Sequence, residues 1–489
     1  MDFKLSGEDL LSVKCNLLVV GGFEGEVTRG AVKRIDDVLE GSLSRICDEE
    51  RFNGEIGKSI ILNTLGKIGA QRVLLLGLGK RANFSQDVLR KVGIIAAKRA
   101  KVFSDTLAFG IPINGKKGSV SAVVEGIILG SYEFNKYKTN DKKGQGIRSV
   151  QILSTKIRER EFREETEFGR IISESTNLAR DLINEPPVNM TPTRLAEVAR
   201  EIAKTEKLEC RIFDRSEMEK RGMGGLLAVS RGSEEPPKFI HLYYEPKGNA
   251  KKTVAVVGKG ITFDSGGLCI KPRDNMRTMK GDMSGAACVL GVMKAVPKLN
   301  PSVRVHGLIS ATENMPGARA YKPDDIIRAL NGKTIEVIDT DAEGRIVLSD
   351  ALSYAVELKV DEIIDLATLT GSCIVALGEY TAGIMGNNER LIKKIMQAAK
   401  LAGEKVWQLP MDDELRKEIE SDVADVKNVG SRWGGAITAA MFLEKFVAGT
   451  PWVHLDIAGP AFLEKGGDWY PRGGTGFGVR TVIKYLLQE

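Results

Sequence analysis

Carboxylates and lysines are concentrated in two glycine-containing segments of the sequence, where their types and spacing could do chemistry. The members of the two segments are Lys259, Asp264, Lys271 and Asp282 in the first, and Asp339, Asp341, Glu343 and Arg345 in the second. If four of these carboxylates converged on one point, their charges would repel strongly and some of them would have to take up a proton. Two divalent cations would remove this repulsion, because they bring four positive charges.

A pair of bound cations also supplies a reaction. Two cations roughly 3.5–4 Å apart generate a hydroxide nucleophile at neutral pH. Oxygen-rich ligands suit Mg²⁺ or Mn²⁺, and Zn²⁺ also accepts carboxylates. The four acids Asp264, Asp282, Asp341 and Glu343 therefore predict a two-metal hydrolytic site.

The lysines among these acids have two interpretations. Lys259 could lose its proton beside the cations and bind one of them as a neutral amine, and Lys271 could stabilise a developing oxyanion. Alternatively, both lysines only form salt bridges with nearby acids. For either lysine alone the salt bridge is the better interpretation, whereas the two together, within glycine-rich loops, favour the functional one.

The elements around these segments predict an α/β protein. Helical periodicity is found at 86–101, 121–132, 193–205, 286–296 and 347–358, and apolar runs typical of strands at 17–21, 73–77, 150–153, 208–213, 239–244, 253–258, 303–310, 334–338, 362–367 and 452–457. Alternation of strands and helices favours a mostly parallel sheet. Each acidic segment follows a predicted strand and enters a loop, and the carboxyl ends of such strands are where ligands bind in open α/β sheets.

A long charged helix from Arg158 to about Ile183 separates two parts of the chain. It is expected to end before Pro186 and Pro187, since a helix cannot continue through them. We predict a boundary along this helix, with an N-terminal domain at 1–165 and a catalytic domain at 166–489.

Composition excludes several classes of protein. Hydrophobic residues make up 42% and charged residues 28%, which is typical of a globular protein and not of a disordered one. No uncharged apolar run approaches the roughly 18–20 residues of a membrane span. Acids near Met1 argue against a signal peptide. Six cysteines without Cys-x-x-Cys spacing fit a reducing compartment, so we expect a cytoplasmic protein.

The charge is uneven, which leaves nucleic-acid binding open. Residues 1–170 carry 29 Lys and Arg against 22 Asp and Glu, whereas residues 171–489 carry 42 against 43. A basic N-terminal third could contact DNA. A solvated basic surface is the favoured interpretation, because no aromatic residues are interleaved with the basic ones.

Beyond these inferences, the two segments resemble a known family. Lys259-Gly-Ile-Thr-Phe-Asp264-Ser-Gly-Gly and Asp339-Thr-Asp341-Ala-Glu343-Gly-Arg345 are similar to the signatures of the leucyl aminopeptidase family, the M17 cytosol aminopeptidases. Further similar segments follow in order over roughly 170–489. The resemblance implies a small N-terminal α/β, macro-like domain and a larger α/β catalytic domain whose mixed, mostly parallel central sheet is flanked by helices.

The resemblance also implies individual roles. Asp264 and Glu343 would bridge the two metals, Asp341 would complete one metal site, and Lys259 with Asp282 would complete the other. Lys271 would hydrogen-bond the oxyanion. Arg345 would hold a bicarbonate ion that acts as the general base for the bridging water. Zn²⁺ or Mn²⁺ is expected, with Co²⁺ and Mg²⁺ as further alternatives.

By resemblance, the substrates are peptides with a free N-terminus, whose α-amine binds one metal. The pocket for the first side chain would involve Met279, Thr368, Leu369, Gly371, Ala458 and Ala461. Many relatives carry a larger Met at the position of Ala461, so a roomier pocket is expected. Asp339 stands where the family signature usually has Asn, and it adds negative charge near the metals.

The resemblance further implies a homohexamer, a dimer of trimers, that does not associate with membranes. A two-metal phosphoesterase is the alternative for the enzyme, since such a site could also hydrolyse phosphates. Hydrolysis of a leucine amide that a chelator abolishes would discriminate between the two activities.

Overall fold

The computed structural model describes residues 1–101, 105–113, 117–139 and 146–489. The chain divides into two compact units, each treated by itself below. The first contains Met1–Glu174 and Gly466–Pro471, and the second contains Ser175–Lys465 and Arg472–Glu489. The boundary expected at residue 165 lies inside the helix Glu159–Asn184, and it stays a prediction.

A six-stranded sheet with helices forms the first unit. Its strands are β1 (Asp2–Ser6), β2 (Cys15–Gly22), β3 (Ser59–Asn63), β4 (Ala70–Gly77), β5 (Thr106–Phe109) and β6 (Ser149–Leu153), and its helices are α1 (Ala31–Val38), α2 (Ser42–Glu49), α3 (Gln86–Ala100) and α4 (Ser119–Ser131), followed by α5 (Glu159–Asn184). The strand order is β1-β6-β5-β2-β4-β3. Neighbouring strands are parallel except β3 and β4, which are antiparallel.

The apolar run of β2 explains the layers of this unit. Leu17 and Val19 pack into one core cluster, whereas Leu18 and Val20 pack into another. Successive side chains of a strand point to opposite faces, so a continuous apolar run is buried on both sides. The segment Gly466–Pro471 joins this unit through Trp469, which packs against the first of these clusters.

A buried ion pair joins two helices of the first unit. Arg90 on α3 places its Nε 2.7 Å from Glu125 Oε2 on α4, and the two side chains are 2% and 0% exposed. Asp87, one turn before Arg90, lies 3.4 Å from the same guanidinium.

The second unit has one large sheet of eight strands and further strands outside that sheet. Its strands are β7 (Glu209–Phe213), β8 (Lys238–Tyr244), β9 (Thr253–Asp264), β10 (Arg304–Asn314), β11 (Ile326–Arg328), β12 (Thr334–Glu336), β13 (Glu362–Ala367), β14 (Thr381–Gly386), β15 (Lys405–Gln408), β16 (Val426–Lys427), β17 (Trp452–Asp456), β18 (Phe462–Leu463) and β19 (Gly473–Gly474). Its helices are α6 (Pro192–Glu206), α7 (Arg215–Arg221), α8 (Gly224–Val229), α9 (Arg273–Met276), α10 (Ser284–Leu299), α11 (Glu343–Glu357), α12 (Gly371–Leu377), α13 (Glu389–Ala402), α14 (Gly435–Glu444) and α15 (Val479–Leu486).

The large sheet is mixed. Its order is β15-β14-β17-β13-β9-β10-β8-β7. The pairs at its centre are parallel, and antiparallel pairing occurs at β7–β8, β8–β10 and β14–β17. The expectation of an α/β fold with a mixed central sheet is therefore confirmed. Strands β11, β12 and β16 form a separate small sheet.

The structure corrects where the two acidic segments lie. The strand predicted to end at residue 258 continues to Asp264, because it pairs with β10 as far as Asn314. The helix predicted to begin at residue 347 begins at Glu343. Lys259 and Asp264 are therefore strand residues and Glu343 is a helix residue, so the prediction that all of them follow strands in loops is wrong.

Among the described parts of the chain, no helix has both the length and the apolar character that a bilayer span requires.

Candidate active site

A β-bulge lets β9 supply two residues to one site. Lys259 and Asp264 are five positions apart, so a regular strand would point their side chains to opposite faces. Between Ile261 and Asp264, however, β9 advances three residues while β10 advances two, from Thr312 to Asn314. The extra residue shifts the alternation. Both side chains are consequently available to the same cluster.

Every metal ligand predicted from the sequence lies in one cluster. Carboxylate oxygens of Asp264, Asp341 and Glu343 lie within 4.8 Å of one another. Lys259 Nζ lies 2.8 Å from Asp282 Oδ2 and 2.8 Å from Glu343 Oε1. These contacts bring together five residues that are up to 84 positions apart in the chain.

Lys271 closes the other side of the cluster. Its Nζ lies 2.8 Å from Asp264 Oδ2 and 2.5 Å from Asp341 Oδ1. The acids thus fall into two groups, one around each lysine. Asp282 and Glu343 contact Lys259, whereas Asp264 and Asp341 contact Lys271.

Burial and mutual repulsion perturb these groups strongly. Burial raises the pKa of Asp282 to about 6 and the pKa of Glu343 to about 8, and the nearby Asp264 carboxylate adds to both shifts. Burial also raises the pKa of Asp341. For Lys259, burial lowers the pKa, but the carboxylates of Asp282 and Glu343 outweigh it and the net pKa is raised. Burial also lowers the pKa of Lys271, but the nearby carboxylates, mainly that of Asp264, outweigh burial, so the net pKa is raised.

The donor set fits divalent cations. Four carboxylates face two ammonium groups, so the fully ionised cluster keeps a surplus of negative charge. Glu343 Oε2 is buried and has no hydrogen-bond partner among the residues that the structure describes. Such an atom is costly to bury unless something satisfies it. Oxygen ligands of this kind are preferred by Mg²⁺ and Mn²⁺ and accepted by Zn²⁺.

Arg345 lies two residues into α11, beside this cluster. Its Nη1 donates to the carbonyl oxygen of Asn428 at 2.7 Å. Its buried Nε lacks a hydrogen-bond partner within the described ranges of the chain. Burial lowers the pKa of Arg345 to about 10, so the guanidinium remains charged at neutral pH. A buried cation with an unused donor is suited to hold an anion.

Among the predicted substrate-binding residues, Thr368 contacts the Lys259 side of the cluster. Thr368 donates from its Oγ1 to Asp282 Oδ1 at 2.8 Å, and its carbonyl oxygen accepts from Lys259 Nζ at 3.0 Å. Met279 begins the short 3₁₀ helix that carries Asp282. Leu369, Gly371, Ala458 and Ala461 follow the ends of β13 and β17, and Ala461 is buried.

Sequence reasoning missed the residue that joins these two strand ends. Asp456, at the end of β17, is fully buried. Its carboxylate accepts from Leu369 N at 3.2 Å, from Thr370 Oγ1 at 2.7 Å and from Ala458 N at 3.1 Å. The sequence feature that could have indicated this role is an acidic residue at the end of an apolar strand.

Two asparagines that support the site were also missed. Asn314 donates from Nδ2 to Asp264 Oδ1 at 2.8 Å. Asn428 accepts from the backbone of Ile338 at 2.7 Å and donates to the carbonyl oxygen of Asp339 at 2.6 Å, while its own carbonyl oxygen holds Arg345. Asn314 lies in a segment that resembles the family, whereas nothing in the sequence around Asn428 indicated its role.

Comparison with known proteins shows which family the chain resembles over its length. A family model described as the catalytic domain of the cytosol aminopeptidase family matches residues 177–483, and the model for the N-terminal domain of the same family matches residues 19–141. A probable cytosol aminopeptidase of Persephonella marina is 46% identical over 498 residues, covering 100% of both chains.

Two solved structures are similar to this chain over nearly its whole length. A variant of tomato leucine aminopeptidase superposes with a TM-score of 0.92 at 36% identity, covering 100% of this chain and 97% of that one. The bottromycin maturation enzyme BotP in complex with Mn superposes with a TM-score of 0.85 at 34% identity, covering 97% and 99%. The chain belongs to the cytosol aminopeptidase family and is a hydrolase of peptide bonds.

Proposed function

We propose that this aminopeptidase removes the N-terminal residue from peptides by means of two divalent cations. The observation that carries the proposal is the buried cluster in which four carboxylates outnumber two lysines. When bound, two such cations polarise the scissile carbonyl and lower the pKa of the attacking water. Zn²⁺ or Mn²⁺ is the expected metal. Mn²⁺ is supported by the solved structure of the relative BotP in complex with Mn.

The two lysine-centred groups suggest how the ligands are shared. Asp264 and Glu343 would serve both cations, because each lies in a different group and their oxygens are within 4.8 Å of each other. Asp341 would complete one position, and Lys259 with Asp282 the other. Lys259 carries a raised pKa without metal, so it must release a proton to become a ligand.

Lys271 would then act on the substrate. Both of its partners, Asp264 and Asp341, are proposed metal ligands. With those oxygens serving as metal ligands, the ammonium of Lys271 would be free to donate a hydrogen bond to the oxyanion of the scissile carbonyl. Donors aimed at developing charge are among the largest contributions to catalysis, at about 10²–10³-fold for one donor.

Arg345 would hold the general base. Its free Nε and its charge at neutral pH are suited to a bicarbonate ion. Arg345 would keep such an ion beside the cluster, where it would supply the base for the attacking water and the proton for the departing amine. This transfer needs no histidine, which is consistent with the scarcity of histidine in the chain, three in 489 residues.

Substrates would be peptides with a free N-terminus, and the first residue would be leucine or another apolar residue. Met279, Thr368, Leu369, Gly371, Ala458 and Ala461 would form the pocket for its side chain. The small side chain of Ala461 favours a roomier pocket, so methionine, phenylalanine and tryptophan amides should be hydrolysed as well as leucine amide. A strict preference for small residues would contradict the roomier pocket.

Leucine-amide hydrolysis after metal exchange is the experiment that tests the proposal. The protein is stripped with a chelator and reconstituted separately with Zn²⁺, Mn²⁺, Co²⁺ and Mg²⁺. Activity should vanish with the chelator and return with at least one cation, while N-acetyl-leucine amide should not be hydrolysed. Equal turnover of the free and acetylated amides, or hydrolysis of a phosphodiester instead, would contradict it.

We propose a cytoplasmic location, since relatives are named probable cytosol aminopeptidases. We also propose a homohexamer, which the resemblance to the family implies. A mass measurement in solution that finds only monomers would contradict the hexamer. DNA binding by the basic N-terminal third stays a prediction, and the absence of DNA retention at low salt would remove it.

A further inference from the structure

Thr340 lies between Asp339 and Asp341, and its hydroxyl and carbonyl oxygen form hydrogen bonds to other segments of the site. Its Oγ1 donates to the carbonyl oxygen of Gly266 at 2.7 Å and accepts from Cys269 N at 2.8 Å. Its carbonyl oxygen accepts from Asn314 Nδ2 at 3.0 Å and Tyr321 Oη at 2.7 Å. The threonine is fully buried. It therefore joins the loop after Asp264 to the loop that carries Asp341.

The glycines after Asp264 make this contact close. Gly266 and Gly267 have φ values of +87° and +65°, which side chains rarely adopt. A Cβ on Gly267 would lie 3.1 Å from Thr340 Oγ1, and a Cβ on Gly266 would lie 2.9 Å from Asp341 Oδ1. Two glycines thus allow the backbone after Asp264 to approach Thr340 and Asp341. The hydroxyl of Thr340 then fixes the separation of the two loops.

A second threonine occupies the corresponding place on the other side of the cluster. Thr368 Oγ1 donates to Asp282 Oδ1 at 2.8 Å, beside Lys259. Neither Thr340 Oγ1 nor Thr368 Oγ1 contacts the acids of the opposite group among the hydrogen bonds of the described chain. The Thr368 hydroxyl therefore supports an acid of the Lys259 group directly, whereas the Thr340 hydroxyl supports the backbone that follows Asp264.

We propose that Thr340 is a positioning residue for the cation whose site Asp341 completes, and that Thr368 is a positioning residue for the cation whose site Lys259 and Asp282 complete. The inference rests on the proposed two-metal function. Partners outside the ligand sphere orient the ligands, and their loss typically weakens metal binding by about 10–100-fold. Each threonine should therefore control one of two binding steps.

Competition of the metal-free protein with a chelating Mn²⁺ indicator measures both steps without reference to activity. The wild type should bind two ions per chain. T340V should weaken one step by about 10–100-fold and the other step by less, because Asp264 is proposed to serve both cations. T368V is the matched control, since it makes the same exchange on the opposite side, and it should weaken the other step. T340S keeps the hydroxyl and should restore wild-type binding, which a purely structural loss of packing would not predict.

The possible outcomes separate this inference from the proposed function. A wild type that binds fewer than two ions would contradict the two-metal function itself. If the wild type binds two ions, either of two results would overturn the inference alone. In the first, T340V and T368V weaken the same step. In the second, T340V binds as tightly as the wild type. If T340V does not fold, Y321F removes only the hydrogen bond to the Thr340 carbonyl and should weaken the same step as T340V is expected to weaken. No change of that step in Y321F would likewise overturn the inference.

Discussion

Two buried groups of charges, one in each unit, differ in how they are balanced. In the first unit, Arg90 and Glu125 form a pair at 2.7 Å that is almost completely buried, with Asp87 at its edge. In the second unit, four carboxylates share two lysines, and the pKa of Asp282, Glu343 and Asp341 is raised by burial. The first group pairs one guanidinium with one fully buried carboxylate, whereas in the second group four carboxylates face only two ammonium groups.

The difference shows how a structural ion pair and a cation site can be distinguished without a bound ion. Breaking a balanced buried pair leaves an uncompensated charge and is strongly destabilising. Removing an acid from an overcharged cluster relieves repulsion in the metal-free protein but removes a ligand. The same Glu→Gln exchange in the two units should therefore have opposite consequences.

Glu343→Gln should have the largest effect on catalysis. The exchange keeps the size of the side chain but removes the charge of a ligand that both cations are proposed to share. We expect kcat for leucine amide to fall by at least about 10³-fold. Steady-state kinetics with saturating Mn²⁺ measures this loss. A Glu343→Gln enzyme with near wild-type turnover would show that this carboxylate is not needed as a ligand.

Glu125→Gln should have the largest effect on stability. It leaves Arg90 buried without its main partner, so the free energy of unfolding should fall by about 3–5 kcal/mol. Urea denaturation measures this change, and turnover per folded molecule should remain close to that of the wild type. Metal-free Glu343→Gln is the matched comparison and should be more stable than the metal-free wild type. If both exchanges destabilise the metal-free protein equally, the distinction between the two groups fails.

The stability of the metal-free protein should also depend on pH. Folding raises the pKa of Asp282 to about 6 and that of Glu343 to about 8, so the folded chain binds more protons than the unfolded chain above the ordinary carboxyl pKa values of about 4. Stability therefore falls as the pH rises from about 4 through about 8. The melting temperature at pH 5, 6, 7 and 8 measures this slope.

Two controls sharpen the pH experiment. Glu343→Gln should reduce the slope, because it removes one of the carboxyl groups whose pKa is raised in the folded protein. Added Mn²⁺ should reverse it, since metal binding strengthens as the ligands lose protons. A metal-free melting temperature that rises from pH 5 to pH 8 would contradict the overcharged cluster.

Asp339→Asn should have the smallest effect. Asp339 Oδ1 accepts from Asp341 N at 2.8 Å, and an asparagine carbonyl can accept the same bond. We expect less than about a threefold change in kcat/KM for this variant. Asp339→Ala loses the acceptor, at a cost of about 1 kcal/mol, and should reduce kcat/KM more. Equal kinetics of the alanine and asparagine variants would show that the turn does not depend on this bond.

Local patterns were sufficient to predict the strands that are apolar throughout and the acids and lysines that the structure brings together. The apolar run at 17–21 predicted β2 because both of its faces are buried. The strand β9 was predicted too short, since Lys259 interrupts its apolar pattern and only pairing with β10 extends it. A bulge that shifts side-chain alternation depends on that pairing and has no signal in one strand alone.

Contacts between distant parts of the chain account for the rest of what was missed. Asn428 holds Arg345 across 83 positions. The segment Gly466–Pro471 belongs to the first unit although it follows the catalytic motifs in sequence. Neither feature has a local pattern of charge or hydrophobicity. The acids themselves were found because four ionised carboxylates near two lysines require a chemical explanation even before their positions are known.

Anomalous scattering from a crystal grown with excess Mn²⁺ tests the central claim most directly. The claim is that two cations supply the positive charge that the cluster of Asp264, Asp282, Asp341 and Glu343 lacks. We expect two peaks in this cluster, roughly 3.5–4 Å apart, with Lys271 withdrawn from its present acidic partners. An ordered site without peaks, in which Lys259 and Lys271 still pair with the four acids, would contradict the claim.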